Sequence, residues 1–149
     1  MARKDAYHDI VKSALEKNGW TITFEPLRLV VDEVGIQIDL GAEQQPIAAE
    51  KDGEKIAVEI KSFLGPSDIN ELEKTIGQYL LYGAILMEKE PGRALYLAVS
   101  EAAYDGIFSR PVVNRLVKSL KIRFILFDEV EGRITQWRNK KNTKKSSNN

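Results

Sequence analysis

The run Lys55-Ile56-Ala57-Val58-Glu59-Ile60-Lys61 decides how this chain is read. Its centre is rich in β-branched residues, and Asp52-Gly53 just before it is a two-residue hairpin signal. Residues two apart on a strand share a face. Val58 and Ile60 therefore point into a core, while Glu59 and Lys61 share the opposite face. Working outward, Gly35 to Leu40 and Ile47 to Lys51 read as preceding strands, the first ending beside Asp39. Counting back from an Asp52-Gly53 loop pairs 51 with 54, 50 with 55 and 46 with 59, which brings Glu50 close to Glu59.

Further elements follow from periodicity. Residues 4–18 carry an apolar stripe of Ala6, Ile10, Val11, Ala14 and Leu15 and read as a helix stopped by Asn18-Gly19. Trp20 to Phe24 alternates as a first strand before Pro26, and Leu27 to Val34 reads equally as strand or loop. After Gly65-Pro66, Ser67 is suited to cap a long helix from about 68 to 88, with its stripe running from Ile69 and Leu72 to Leu86 and Met87. Ala94 to Val99 and Arg123 to Phe127 have the unbroken apolar character of buried strands. A short helix over 102–109, a second from Pro111 to about Leu120, and an edge strand from Arg133 to Trp137 complete the order. A strand meander, a crossover helix and a parallel strand predict a mixed α/β sheet flanked by helices.

Composition narrows the chemistry. At 149 residues with 43% hydrophobic content, one domain over 1–137 is expected. There is no cysteine and a single histidine, which excludes disulfides, thiolate catalysis and a Cys/His zinc site. The polar start, and the lack of any apolar run near the roughly 20 residues that span a bilayer, predict no membrane contact and a cytoplasmic protein. Charge is unevenly placed. Five of the 22 basic residues and none of the 22 acidic ones lie beyond position 137, leaving residues 1–137 with 17 basic against 22 acidic. The tail 138–149 is expected to be disordered, with Lys140 and Lys141 among the charges able to meet DNA phosphates.

Asp39, Glu59 and Lys61 are the candidate site. Two carboxylates and a lysine at one end of a sheet are the parts of a Mg²⁺- or Mn²⁺-dependent phosphodiesterase: oxygen ligands suit a hard cation, and the lysine orients water or neutralises charge on phosphorus. Asp39 also reads as an aspartate leading into a turn at Gly41. Glu59 and Lys61 also read as an ordinary solvated pair. The readings part on burial, since both side chains are costly to bury without partners. Glu50 is a further possible ligand or a surface partner of Lys55, and Glu43 is a weaker one. On the long helix, Gln78 and Tyr82 are four apart and share a face. On the first helix, Asp9 is a candidate acid, whereas His8 reads as a surface or packing residue.

The spacing of Asp39 and Glu59-Ile60-Lys61 resembles the PD-(D/E)xK nucleases, the restriction-endonuclease-like superfamily. The wider chain resembles one family within it, XisH, the cyanobacterial fdxN-element excision controlling factor. The stretches that carry this are Tyr7-His8-Asp9 with Ala14-Leu15, Asn18 to Thr23, Ile38 to Glu43, Ile47 to Lys51, Ile56 to Phe63 and Gly77 to Tyr82. The resemblance implies a restriction-endonuclease-like mixed sheet with an αβββαβ core, metal held by Asp39, Glu59 and Glu50, and Lys61 as a catalytic residue. A Gln-x-x-x-Tyr motif in this place belongs to the RecB-like branch. It implies that Gln78 orients the lysine or DNA and that Tyr82 and Asp9 lie on the DNA side. The resemblance to XisH further implies control of excision of a DNA element during heterocyst development. The expected partners are DNA, a recombinase or a small partner protein, and a second copy of the chain. A non-catalytic accessory factor with a relict site is the alternative.

Overall fold

The computed structural model describes residues 5–44 and 53–139. The chain runs α1 (His8–Lys17), β1 (Thr21–Phe24), β2 (Leu27–Val31), β3 (Val34–Ile38), β4 (Leu40–Gln44), β5 (Glu54–Ile60), α2 (Asp68–Lys89), β6 (Arg93–Ser100), α3 (Glu101–Ala103), α4 (Pro111–Ser119), β7 (Phe124–Asp128) and β8 (Arg133–Arg138). A π-helical turn, Tyr104–Phe108, continues α3. Six strands form one mixed sheet in the order β1-β4-β5-β6-β7-β8, and β2 and β3 form a separate hairpin. The β5–β6 and β6–β7 pairs are parallel and the other neighbours antiparallel. This is the mixed α/β sheet flanked by helices that periodicity predicts.

The alternation of β5 divides two cores. Ile56, Val58 and Ile60 pack with Val11 and Leu15 of α1 and with Tyr96, Ile125 and Phe127. On the other face Ala57 joins Leu95, Leu97, Phe124 and Leu126 under α2, α4 and the β2–β3 hairpin. Both faces are covered, so β6 is buried along its whole length, as parallel strands usually are. The cap of α2 is the expected one, with Ser67 Oγ accepting from the Asn70 amide at 3.2 Å.

Three expectations are corrected. Gly35 to Leu40 is not one strand: the chain leaves the hairpin at Ile38 and enters the main sheet at Leu40, with Asp39 as the joint. The ambiguous Leu27 to Val34 stretch is the first arm and turn of that hairpin. Its turn places Asp32 and Glu33 at φ 49° and 67°, the left-handed pair that a two-residue hairpin loop needs, without the glycine that signals it. Finally, the antiparallel partner of β5 is β4: Gln44 pairs with Glu54, Glu43 with Lys55 and Leu40 with Val58. That register replaces the pairing of 51 with 54 and 50 with 55. Placing β4 here buries Leu40 and Ala42 in the α1 core, which a tight 52–53 loop cannot do. The expected strand Ile47 to Lys51, Glu50 with it, lies outside the described residues, as do Lys140, Lys141 and the tail from 140 on, whereas Arg138, expected in a disordered tail, is the last residue of β8.

A candidate carboxylate site at the β3–β4 joint

The β4–β5 register brings Asp39 beside Glu59, since Leu40 pairs with Val58. The two carboxylates are cross-tied through the backbone. Asp39 Oδ2 accepts from the Ile60 amide at 2.8 Å, and Glu59 Oε1 accepts from the Asp39 amide at 3.3 Å. Lys61 Nζ stands 3.8 Å from Glu59 Oε2. Lys61 is itself fixed by its amide, which donates to Ala98 O at 3.1 Å. Glu59 is only 7% exposed, because its face of β5 is the one turned toward the β2–β3 hairpin and the core beneath α2. The solvated-pair reading of Glu59 and Lys61 therefore fails on burial.

Burial sets the electrostatics. Glu59 is pushed up to about 8, first by loss of solvent and then by the negative charge of Asp39, with Lys61 opposing. Asp39 is raised for the same first reason, and the Ile60 amide works against it. The Tyr82 phenol is raised by burial and then by Glu59 and Asp39, so Tyr82 of α2 lies within the field of the pair. Gln78 is half-buried, and its Oε1 is buried with no hydrogen-bond partner among the described residues.

Two further groups belong to this neighbourhood: Asp5, which helix periodicity hides, and His8, expected as a surface or packing residue. Asp5 lies ahead of α1, not inside it, because the helix starts at His8 and not at residue 4. Its Oδ2 accepts from the Ser62 amide at 3.0 Å and its Oδ1 from the Tyr7 amide at 2.9 Å, pinning the chain just past Lys61. His8 is 5% exposed, and its Nε2–H donates to Glu25 Oε2 at 2.7 Å, while Lys12 holds Glu25 Oε1 at 2.8 Å. A positive charge on His8 would lower Asp39, and the Nδ1 of His8 is buried without a partner among the described residues. Asp9, the acid expected to reach inward from this helix, sits on the exposed face of α1.

The donor set suits a hard cation in part. Buried Glu59 and half-buried Asp39 face one lysine, and the uncompensated negative charge of two ionised carboxylates is what a divalent ion bound through oxygen neutralises. Asp39 Oδ1 and Glu59 Oε2 are the oxygens left outside the backbone ties. Among the described residues no group of three or more histidine, aspartate or glutamate side chains is placed to hold a metal ion, so the pair forms an incomplete cage.

The geometry meets a consistent set of relatives. A family model described as XisH protein matches residues 1–135. The crystal structure of an XisH family protein from Nostoc punctiforme is 36% identical, with a TM-score of 0.81 over 89% of this chain and 98% of that one. That of an fdxN element excision controlling factor protein from Anabaena variabilis is also 36% identical, with a TM-score of 0.80 over 90% of this chain and 98% of that one. No curated protein matches. No helix among the described residues is long and apolar enough to cross a membrane. The fold and the matched length make one conclusion plain: the chain belongs to the XisH family.

Proposed function

We propose that this chain controls excision of a DNA element, the role for which its Anabaena variabilis relative is named, and that it does so as a restriction-endonuclease-like, metal-dependent phosphodiesterase. The observation that carries this is the burial of Glu59 beside Asp39, with Lys61 Nζ 3.8 Å from Glu59 Oε2. Burying two carboxylates together is costly, and a bound cation relieves that cost. When bound by Asp39 and Glu59, Mg²⁺ or Mn²⁺ supplies Lewis-acid stabilisation of the phosphate and a more acidic water. Lys61 holds a positive charge at the place where negative charge grows on phosphorus. Tyr82, kept protonated, offers a hydrogen-bond donor on the α2 side, and the Gln78 amide is free to steer Lys61 or a substrate oxygen.

A second reading has one observation behind it. The cross-tie spends Asp39 Oδ2 and Glu59 Oε1 on backbone amides, so the pair also works as a clasp joining hairpin to sheet. On that reading the chain is a non-catalytic factor that binds DNA, a recombinase or a small partner protein. Calorimetric titration with Mg²⁺ and Mn²⁺, wild type against Asp39→Ala, with nicking of supercoiled DNA followed on the same samples, separates the two. Metal heat and nicking that both vanish in Asp39→Ala support the phosphodiesterase. Neither metal heat nor nicking in the wild type leaves the clasp.

A further inference from the structure

The charges of this protein are segregated. From Gly106 to Phe127 there are five basic residues, Arg110, Arg115, Lys118, Lys121 and Arg123, and no acid. A second acid-free stretch runs from Gly132 to the end of the chain and carries Arg133, Arg138 and four lysines. The fold brings these stretches together. Lys118 is in the last turn of α4, and the Lys121 amide closes that turn on Lys118 O at 3.1 Å. Arg123 leads into β7, whose first residue Phe124 pairs with Arg138 of β8. Asn139 Nδ2 then donates to Ile122 O at 3.4 Å, so the lysine-rich end of the sequence leaves the described residues beside Lys121 and Arg123.

Most of these cations have no carboxylate partner among the described residues. Arg110 pairs with Asp68 and Arg133 with Glu131, but Arg115, Lys118, Lys121, Arg123 and Arg138 have no ion pair among the described residues. Arg138 instead lies over the Tyr104 ring, 4.8 Å from its centre. Beside them opens a cleft of about 310 Å³ between α2 and the α4–β7 turn. Arg93, Lys121 and Arg123 are the charged groups of its wall, and no acid lines it. Arg93 is already held by Glu90 at 2.7 Å, which leaves Lys121 and Arg123 to meet a ligand. Lys121 stands at φ 57°, a conformation that costs a lysine energy and fixes where its side chain starts. The cleft is distinct from the carboxylate pair, since its wall runs from Tyr79 to Met87 of α2 and to Arg93, Lys121 and Arg123 and includes neither Asp39, Glu59 nor Lys61.

We propose that the α4–β7 turn, with Lys118, Lys121, Arg123 and the end of β8, is a sequence-independent docking surface for the phosphate backbone of nucleic acid, separate from the Asp39–Glu59 pair. It deepens the DNA reading above by placing DNA contact away from the Asp39–Glu59 pair. Repeated, unpaired cations on two converging segments fit a polyanion better than a single small anion. Binding then depends on counterion release and weakens steeply with salt.

The test is fluorescence anisotropy with a labelled duplex in EDTA, so that cleavage does not intervene, over a range of salt concentrations. The variant is Lys118→Gln with Lys121→Asn and Arg123→Gln in the full chain; asparagine tolerates the left-handed backbone at 121. The control removes the same charge elsewhere, from the exposed Arg28, Lys74 and Lys89. The surface variant is expected to bind about tenfold or more weakly, with a log–log salt slope shallower by about 2–3. The control is expected to bind like wild type. Equal weakening in both variants, or none in the surface variant, overturns the proposal, as does binding to phosphatidylserine vesicles with none to DNA. Asp39→Ala measured alongside keeps the two readings apart: loss of nicking with retained DNA binding belongs to the carboxylate site, and the surface variant keeps the metal heat of wild type.

Discussion

Asp39 and Glu59, twenty residues apart, each accept a hydrogen bond from the backbone of the other's strand: Ile60 N–H to Asp39 Oδ2 at 2.8 Å and Asp39 N–H to Glu59 Oε1 at 3.3 Å. The tie fastens the point where the β2–β3 hairpin meets the main sheet. It also forces two carboxylates into one buried place, so stability depends on their protonation.

In metal-free protein that dependence has a definite sign. Glu59 is raised from 4.5 to about 8 in the fold. The fold thus prefers the protonated form, and its stabilisation is complete below the unfolded value and lost as pH rises through the folded one. Melting of EDTA-treated protein is expected to fall by several degrees between about pH 5 and about pH 8.5, the window of that shift. Glu59→Gln removes the charge and is expected to flatten the curve. A flat wild-type profile over this range would show that the pair is solvated in solution.

Tyr79 joins three elements through one hydroxyl, which donates to Leu95 O at 3.1 Å and accepts from the Arg123 amide at 3.0 Å. Burial raises the phenol, so the hydroxyl stays protonated across the working range. Tyr79→Phe leaves a buried amide and a carbonyl lone pair without it and is expected to cost about 1–3 kcal/mol in urea unfolding. Amide exchange at Arg123 should speed up in the same variant, because the α4–β7 turn loses its anchor on α2.

Thr75 makes the opposite case. It is 1% exposed, and its Oγ1 has no partner among the described residues. A buried hydroxyl without a hydrogen bond is a liability to the fold. Thr75→Val keeps the shape and removes the polar atom, and is expected to be neutral or stabilising by up to about 1 kcal/mol. Chemical denaturation checks this; a destabilised Thr75→Val means the hydroxyl has a partner in solution.

How much of this was legible follows from which signals are local. The alternation of Ile56, Val58 and Ile60 is a local property, and both it and the Ser67 cap were readable residue by residue. The site pair was readable because a strand face is set by parity, which holds whichever strand lies alongside. The partner of β5 was not, because Asp52-Gly53 has the chemistry of a tight turn while the burial of Leu40 and Ala42 favours β4. The hairpin turn at Asp32-Glu33 lacks the glycine that marks such turns, so its two arms read as one ambiguous stretch. Asp5 was hidden by helix periodicity, which extended α1 over a residue whose role depends on lying outside it. The convergence of the two acid-free stretches depends on strand register, since they meet along the antiparallel pairing of β7 with β8, from Phe124–Arg138 to Phe127–Ile134.

Arg93 lies at the far end of the sheet from Glu59 along β5 and β6, and among the described residues it is the one buried arginine or lysine. Its side chain is 2% exposed, yet it makes a 2.7 Å bond to Glu90, stands 3.6 Å from Glu43 and donates to Ile56 O at 3.1 Å. The Phe24 ring packs 5.4 Å from the guanidinium. The guanidinium thereby joins β1, β4, β5 and the end of α2. Arg93→Met fills similar volume but strands these acceptors, of which the two carboxylates can still reach water. The expected cost is therefore moderate, about 2 kcal/mol in urea unfolding. Arg93→Lys should recover only part of it, because one ammonium cannot reproduce the guanidinium fork. Nicking measured in both variants at a temperature where they are folded should match wild type, since Arg93 touches neither Asp39 nor Glu59. Loss of nicking in folded Arg93→Met would instead show that the two ends of the sheet are coupled.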